Sequence, residues 1–227
     1  MISKNDYDYS QSLDDFRFFP AYEFDQLARK TKLRRAGKGQ RLFFVGDARE
    51  NLFLVQSGYF KIEMADQSGS FYYMDFIQHG TIFPYGDLFT EDVYHFSALA
   101  MTDVVYYELP VRLYEEYSLK NPEQMKHLFG KVSRLLNLHE LRVRNTVTSN
   151  AKDRVIQSLG ILFWEMLKSD ESTLPFKLTT HELADMSGTT RETVSRVLKE
   201  LKEEEKIQIS GKHVSFLDRD YFYQYTK

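Results

Sequence analysis

The 227-residue sequence contains no cysteine. This excludes disulfides, thiol switches, thiolate nucleophiles and any iron–sulfur or zinc centre held by cysteine. It also fits a cytoplasmic location, where structural disulfides are rare. No apolar run approaches the roughly eighteen residues of a membrane span, and no secretory leader is evident, so no membrane partner is expected. The six histidines, at positions 79, 95, 127, 139, 181 and 213, lack the spacing of metal ligands, so no metal site is expected. Phosphate-cradling glycine loops and a supported serine–histidine–acid arrangement are missing as well, so no catalytic residue is assigned and the protein is not read as an enzyme. There is also no excess of positive charge: the formal net charge is -3. A nucleic-acid partner then depends on how charge is distributed rather than on its sum.

What is present falls into three segments, expected at 1–120, 121–147 and 148–227. The polar start, residues 1–12, is expected to fray. From residue 41 to about 110 the pattern is that of strands. Phe60, Ile62 and Met64 alternate with Lys61 and Glu63, and Gln67 to Ser70 form a turn before an aromatic strand from Phe71 to Ile77. Many short strands at this spacing predict an antiparallel β-barrel or sandwich.

Asn121-Pro122-Glu123 then opens a long helix, with asparagine as cap and proline in the first turn. Its recurring stripe places Leu128, Val132, Leu135, His139 and Arg142 at an expected homodimer interface. Asn150 caps the next helix, where the lone Trp164 is expected in the core. Residues 207–209 and 213–216 form a hairpin turning at Gly211, which gives the C-terminal part three helices and a wing.

The most telling stretch runs from Thr180 to Leu198 and reads as two short helices joined at Gly188. Thr179 or Thr180 caps the first, supported by Glu182, and Ala184 lets the helices cross closely. Val194, Val197, Leu198 and Leu201 form the buried face of the second helix. Opposite them lie Arg191, Glu192 and Arg196. The arginine forks match guanine N7 and O6, while Glu192 can accept from cytosine N4. Glu192 and Arg196 are one turn apart and are expected to brace each other. Thr189, Thr190, Thr193 and Ser195 are candidates for DNA phosphate contacts, joined by Lys212 in the hairpin and, with less support, Lys152 and His213. Residues 148–227 hold 12 Lys/Arg and 13 Asp/Glu, so the basic side must be local.

Gly188-Thr189-Thr190-Arg191-Glu192-Thr193-Val194-Ser195-Arg196-Val197-Leu198 resembles the recognition-helix signature of the cyclic-AMP receptor and fumarate–nitrate reductase regulator family of bacterial transcription factors. The resemblance extends over nearly the whole chain. It implies an α+β architecture: an N-terminal cyclic-nucleotide-binding-like jelly roll, a long dimerisation helix and a C-terminal winged helix-turn-helix. It also implies a homodimer on double-stranded DNA, reading a near-palindromic operator with half-sites similar to TGTGA through Arg191, Glu192 and Arg196. RNA polymerase is a further candidate partner. In tone the chain is most similar to Gram-positive regulators of the arginine deiminase pathway.

The sensor half departs from the best-known members, where a glycine–glutamate pair holds the ribose and an arginine–serine pair holds the cyclic phosphate. Gly86-Asp87 partly matches the first pair, but no arginine lies between Arg49 and Arg112. A buried phosphate without a cation is poorly compensated, so cyclic AMP is not expected. No cofactor is assigned. Phe71, Tyr72, Tyr73, Phe76, Phe83, Tyr85, Phe89, Tyr94 and Phe96 crowd the region and are read as the barrel core, some of them also filling the old nucleotide cavity and leaving either no effector or a small non-nucleotide metabolite or peptide. Residues 29–41 carry seven basic residues and no acid. They are read as solvated surface, with an anionic ligand, flanking DNA or the polymerase as alternatives. Reading the whole chain as a dimeric scaffold, or as an enzyme built on the barrel, is the remote alternative.

Overall fold

The computed structural model describes residues 4–65, 72–86, 88–148 and 150–225, with the side chains of 4–6, 72 and 145–148 left aside. The expected turn at Gln67 to Ser70, the aromatic Phe71 and the Asp87 of the partial ribose pair lie outside the described residues, as do the side chains of Tyr72 and Asn145. The chain packs as two compact units, one of residues 1–71 and 75–137, the other of 72–74 and 138–227.

In the first unit, helices α1 (Lys4–Gln11) and α2 (Ala21–Lys30) flank a short 3-10 turn, Asp14–Phe16. The expectation that the start frays is corrected here. The Tyr7 ring packs edge-on against Phe24 at 4.9 Å, its hydroxyl donates to Asp25, and Ser10 is buried. A polar segment thus holds its helix through aromatic anchors, Tyr7 and Tyr9, packed on the core.

Eight strands follow: β1 (Lys32–Ala36), β2 (Arg41–Phe43), β3 (Asn51–Ser57), β4 (Phe60–Ala65), β5 (Tyr72–Ile77), β6 (Ile82–Phe83), β7 (Ser97–Ala100) and β8 (Val104–Pro110). They form two four-stranded sheets, ordered β1-β8-β3-β6 and β2-β7-β4-β5. This is a jelly-roll sandwich rather than a closed barrel. Gly58 makes the β3–β4 turn with φ +85, and a Cβ there would lie 2.4 Å from the Asp103 carbonyl oxygen, so only glycine fits.

β3 is buried from Leu52 to Val55 because both of its faces are covered. Leu52 and Leu54 join Phe16, Phe24, Leu27 and Tyr114 in one apolar cluster. Phe53 turns the other way into a stack of rings. Phe43 lies 3.9 Å from Tyr94 and 5.4 Å from Phe53, and Phe60 lies 5.6 Å from Phe83 and 5.7 Å from Tyr106.

Helix α3 (Val111–Lys120) leads into α4 (Pro122–Thr148). The Asn121 side chain accepts from the Glu123 and Gln124 backbone amides at 3.1 and 3.2 Å, capping α4. Leu128 is only 3% exposed and belongs to the apolar cluster of its own unit, so its expected place at a dimer interface is corrected. Its neighbour Phe129 is 75% exposed, and Leu136 and Val143 come after it at intervals of seven. Val132 and Leu135 are exposed as well, and His139 is half-buried. Arg142 makes a 3.2 Å ion pair with Glu165 of its own chain.

The second unit contains α5 (Ala151–Met166), α6 (Thr180–Ser187), α7 (Arg191–Glu203), the hairpin β9 (Ile207–Ser210) and β10 (His213–Phe216), and α8 (Arg219–Tyr223). Val155, Ile156, Leu159 and Leu162 of α5 are buried with Leu183, Val194, Val197 and Leu201. Trp164 is 57% exposed, against the expectation of a core position. Its ring lies edge-on against Tyr223 of α8 at 5.4 Å.

Candidate nucleic-acid interface

The reading head is built by its caps. Thr179 accepts from the Glu182 amide at 3.1 Å, and the Glu182 carboxylate accepts in return from the Thr179 amide at 2.9 Å, a complete capping box for α6. Gly188 ends α6 with φ 55, a left-handed turn, and the Thr189 amide donates to the Ala184 carbonyl at 3.1 Å. Thr190 then caps α7, its hydroxyl oxygen accepting from the Thr193 amide at 3.3 Å. The sequence assigned Thr190 to phosphate contact; the structure gives its oxygen a capping role.

A residue missed in the sequence completes the turn. Arg154 of α5 donates from Nε to the Ser187 carbonyl and from Nη2 to the Gly188 carbonyl, both at 2.9 Å. These are the orphan carbonyls at a helix end, and one guanidinium satisfies two of them. The arginine at the start of a capped helix, one residue before the buried stripe, was the available signal.

Arg191, Glu192, Ser195 and Arg196 are all exposed on α7, opposite the buried Val194, Val197 and Leu201. Glu192 does not brace Arg196 as expected. Its own backbone amide, the neighbouring Thr190 hydroxyl and the Arg191 charge hold its pKa below the ordinary carboxylate value. Lys152 is also reassigned: it pairs with Glu200 of α7 at 2.8 Å, tying α5 to α7. The His213 ring lies 3.4 Å from the Leu174 carbonyl, turned towards the segment beside β10. Lys212 stays exposed beside Gly211, whose φ of 61 makes the hairpin turn. Thr189, in the turn between the helices, and Thr193, in the first turn of α7, are half-buried.

In the sensor-like unit, Arg49 and Arg112 bracket the vacated phosphate position in sequence, and the Arg49 guanidinium is held through Nε and Nη2, with Nη1 buried and unpartnered among the described residues. Arg49 is 7% exposed, with Nε and Nη2 donating to the Glu91 carbonyl at 2.8 and 2.6 Å and Nη2 to Glu115 at 2.8 Å. The same Glu115 oxygen accepts from the Phe89 amide at 2.9 Å. Phe89 takes φ 68 there and is exposed, and Tyr85 turns towards Asp15, so neither joins the ring stack. Phe76, Phe83 and Tyr94 are buried as expected; Phe43, Phe53, Phe60 and Tyr106 complete the interior. Burial pushes the Tyr94 hydroxyl up to about 12.

The basic stretch includes the edge strand β1, where Lys32, Arg34 and Arg35 are exposed. Arg34 pairs with Glu108 at 3.1 Å, and Arg41 with Glu63 at 2.7 Å.

Residues 153–225 match the model of the Crp-like helix-turn-helix domain, and residues 33–119 match that of the cyclic nucleotide-binding domain. The HTH-type transcriptional regulator ArcR of Staphylococcus epidermidis is 30% identical over 179 residues, covering 76% of each chain. A global nitrogen regulator of Synechococcus elongatus is 25% identical over 184 residues, covering 78% of this chain and 82% of the relative. FixK2 from Bradyrhizobium japonicum shares the fold, with a TM-score of 0.73 at 17% identity, over 86% of this chain and 96% of that one. The caps, turn and wing of the second unit, the jelly roll of the first and these likenesses agree: the chain belongs to the cyclic-AMP receptor and fumarate–nitrate reductase regulator family of helix-turn-helix transcriptional regulators.

Proposed function

We infer that the protein works as a homodimer whose two α7 helices read a near-palindromic operator, with Arg191 and Arg196 on guanine and Glu192 on cytosine. The observation that carries this reading is the exposed α7 face. Arg191, Glu192 and Arg196 are solvent-facing together, with the Arg191 charge helping to hold Glu192 ionised. A carboxylate among DNA phosphates needs a specific donor, which cytosine N4 supplies. Thr189, Thr193, Ser195 and Lys212 are assigned to phosphates, with Thr190 contributing through the helix start it caps. Val132, Leu135 and His139 remain the dimer residues, extended by Phe129, Leu136 and Val143 at the spacing of a two-helix seam.

The function is regulatory, carried out in the bacterial cytoplasm without catalysis. This reading gives cyclic AMP no role, supported by the Arg49 contacts with Glu91 and Glu115 and by the aromatic rings in the sandwich interior. The basic edge strand β1 offers an acidic protein partner, such as the polymerase, a place to dock. Selection from a random duplex library tests the central reading. Enrichment of a palindrome with TGTGA-like half-sites is expected, and recovery of unrelated sequences would overturn it.

A further inference from the structure

Leu198 belongs to the stripe of α7 that should be fully buried, yet it is only half-buried. The reason is a cavity of about 210 Å³ beside it, between the start of α6, the middle of α7 and the wing. Leu178, Leu183, Leu198, Ile209 and Val214 supply an aliphatic lining, and Thr180 and Lys212 supply polar groups. Lys212 is fixed at this site from its backbone, since its carbonyl accepts from the Leu178 amide at 2.9 Å. Its side chain is exposed and has no carboxylate partner among the described residues.

The pocket is a cleft open to solvent at Thr180, Gly211 and Lys212, and an apolar cavity of about 150 Å³ already admits a benzene ring. Here there is room for a ring and a short arm, with the exposed Lys212 on the rim. A neutral hydrocarbon would leave Lys212 unused, a cation would be repelled by it, and a polar sugar or nucleotide would meet five aliphatic side chains. The chemistry that fits both features is a small monocarboxylate with an aryl or branched-alkyl body.

We propose that this cavity binds a small aryl- or branched-alkyl carboxylate, its hydrocarbon end among Leu183, Leu198 and Ile209 and its carboxylate on Lys212. The consequence for DNA rests on the reading of Lys212 as a phosphate contact: the bound carboxylate neutralises Lys212 and competes with the operator. An effector site then lies within the reading head, separate from the sandwich.

The test uses the full-length protein with 3-phenylpropanoate as probe, 3-phenylpropanol as its neutral counterpart and 3-phenylpropylamine as its cationic one. Methyl spectra, recorded without DNA, should show saturable shifts at Leu183, Leu198, Ile209 and Val214 with 3-phenylpropanoate. A ligand of this size is expected to have a Kd in the low millimolar range. The amine should give none. Lys212→Met should weaken the acid about tenfold and leave the alcohol unchanged. Ile209→Phe, which fills the cavity, should abolish both; Thr180→Leu, which blocks its mouth from an exposed position, serves the same purpose should the first variant fail to fold. Equal shifts in parent and filled variants, or no saturation, would overturn the site.

In a second arm, saturating probe should weaken operator binding several-fold and reduce the slope of log affinity against log salt by about 0.9 per protomer. Probe binding with operator affinity unchanged would overturn the competition and leave the cavity assignment standing. A protein that takes the probe but enriches no operator would count against the base-reading assignment rather than against the cavity.

Discussion

Lys131 of the long helix donates to the Asp15 carboxylate, although Asp15 is only 2% exposed and lies in the turn before α2. Tyr85 donates to the same oxygen, and Lys131 also donates to the Tyr85 hydroxyl at 3.1 Å. Gln124 adds a 2.9 Å bond to the Asp15 carbonyl. The loop after β6 is thereby fastened to α4 by the protein's own charges.

The two ends of this pair are unequal. The Lys131 side chain is 23% exposed and can turn to water when its partner is lost, whereas the Asp15 side chain cannot. Lys131→Met should therefore cost about 3–5 kcal/mol, the usual penalty for stranding a buried charge. Asp15→Asn should cost less, and the double variant less than the sum of the two. Urea unfolding followed by circular dichroism measures all three; equal losses from the two single variants would contradict the asymmetry.

His127 lies beside this pair, 3.9 Å from Asp15. Its pKa is lowered from 6.5, first by burial and next by the Lys131 charge, with Asp15 opposing. Because the folded pKa is the lower one, the unfolded chain binds more protons as pH falls below about 6.5. Stability should decline from there and level off once pH passes below the folded value. His127→Gln should flatten that part of the stability–pH curve, and denaturation midpoints between pH 7.5 and 5 provide the measurement. A parent curve without a decline would refute the assignment.

The proposed dimer seam separates two adjacent residues. Phe129→Asp or Leu136→Asp should shift the protein to monomer in sedimentation equilibrium while its circular dichroism stays intact. Leu128→Ala should instead cost about 2–5 kcal/mol of stability, as core leucines do, with the dimer retained at the same protein concentration.

That separation marks how far the sequence reached. Around the reading head, local chemistry dictates structure: Gly188 must take a left-handed turn, and Thr179 and Thr190 cap α6 and α7, so the helices were legible residue by residue. On α4 the periodicity carries two apolar stripes. Whether Leu128 or Phe129 turns inward depends on α1, α2 and the Asp14–Phe16 turn docking on one side, which is a tertiary outcome. Trp164 was misplaced for the same reason, since α5 is apolar on more faces than its neighbours cover. Glu192 found a nearer partner in Thr190 than the arginine one turn away.

Arg154 should matter to the shape of the head without touching a base. Arg154→Lys keeps the charge but loses the planar fork that reaches both carbonyls. It should cost about 1.5–3 kcal/mol, the range for hydrogen bonds to a charged group. Operator affinity should fall with the same base preferences, because the turn that carries α7 loosens as a whole. Unfolding and a mutated-operator panel together check this; a preference lost at one position alone would make Arg154 a base reader.

Arg196 makes the opposite prediction. It is exposed on α7, where Glu200 one turn further along pairs with Lys152 at 2.8 Å and also feels the Arg196 charge. Arg196→Ala should lose about 1–3 kcal/mol of discrimination at one guanine in each half-site. A phosphate contact would behave differently: its loss weakens binding to every sequence alike and lowers the salt slope by about 0.9 per protomer. Titrating parent and variant against operators altered at single symmetric positions, at two salt concentrations, separates these outcomes. Uniform weakening with a reduced slope would move Arg196 from the bases to the backbone and leave Arg191 and Glu192 to carry the specificity.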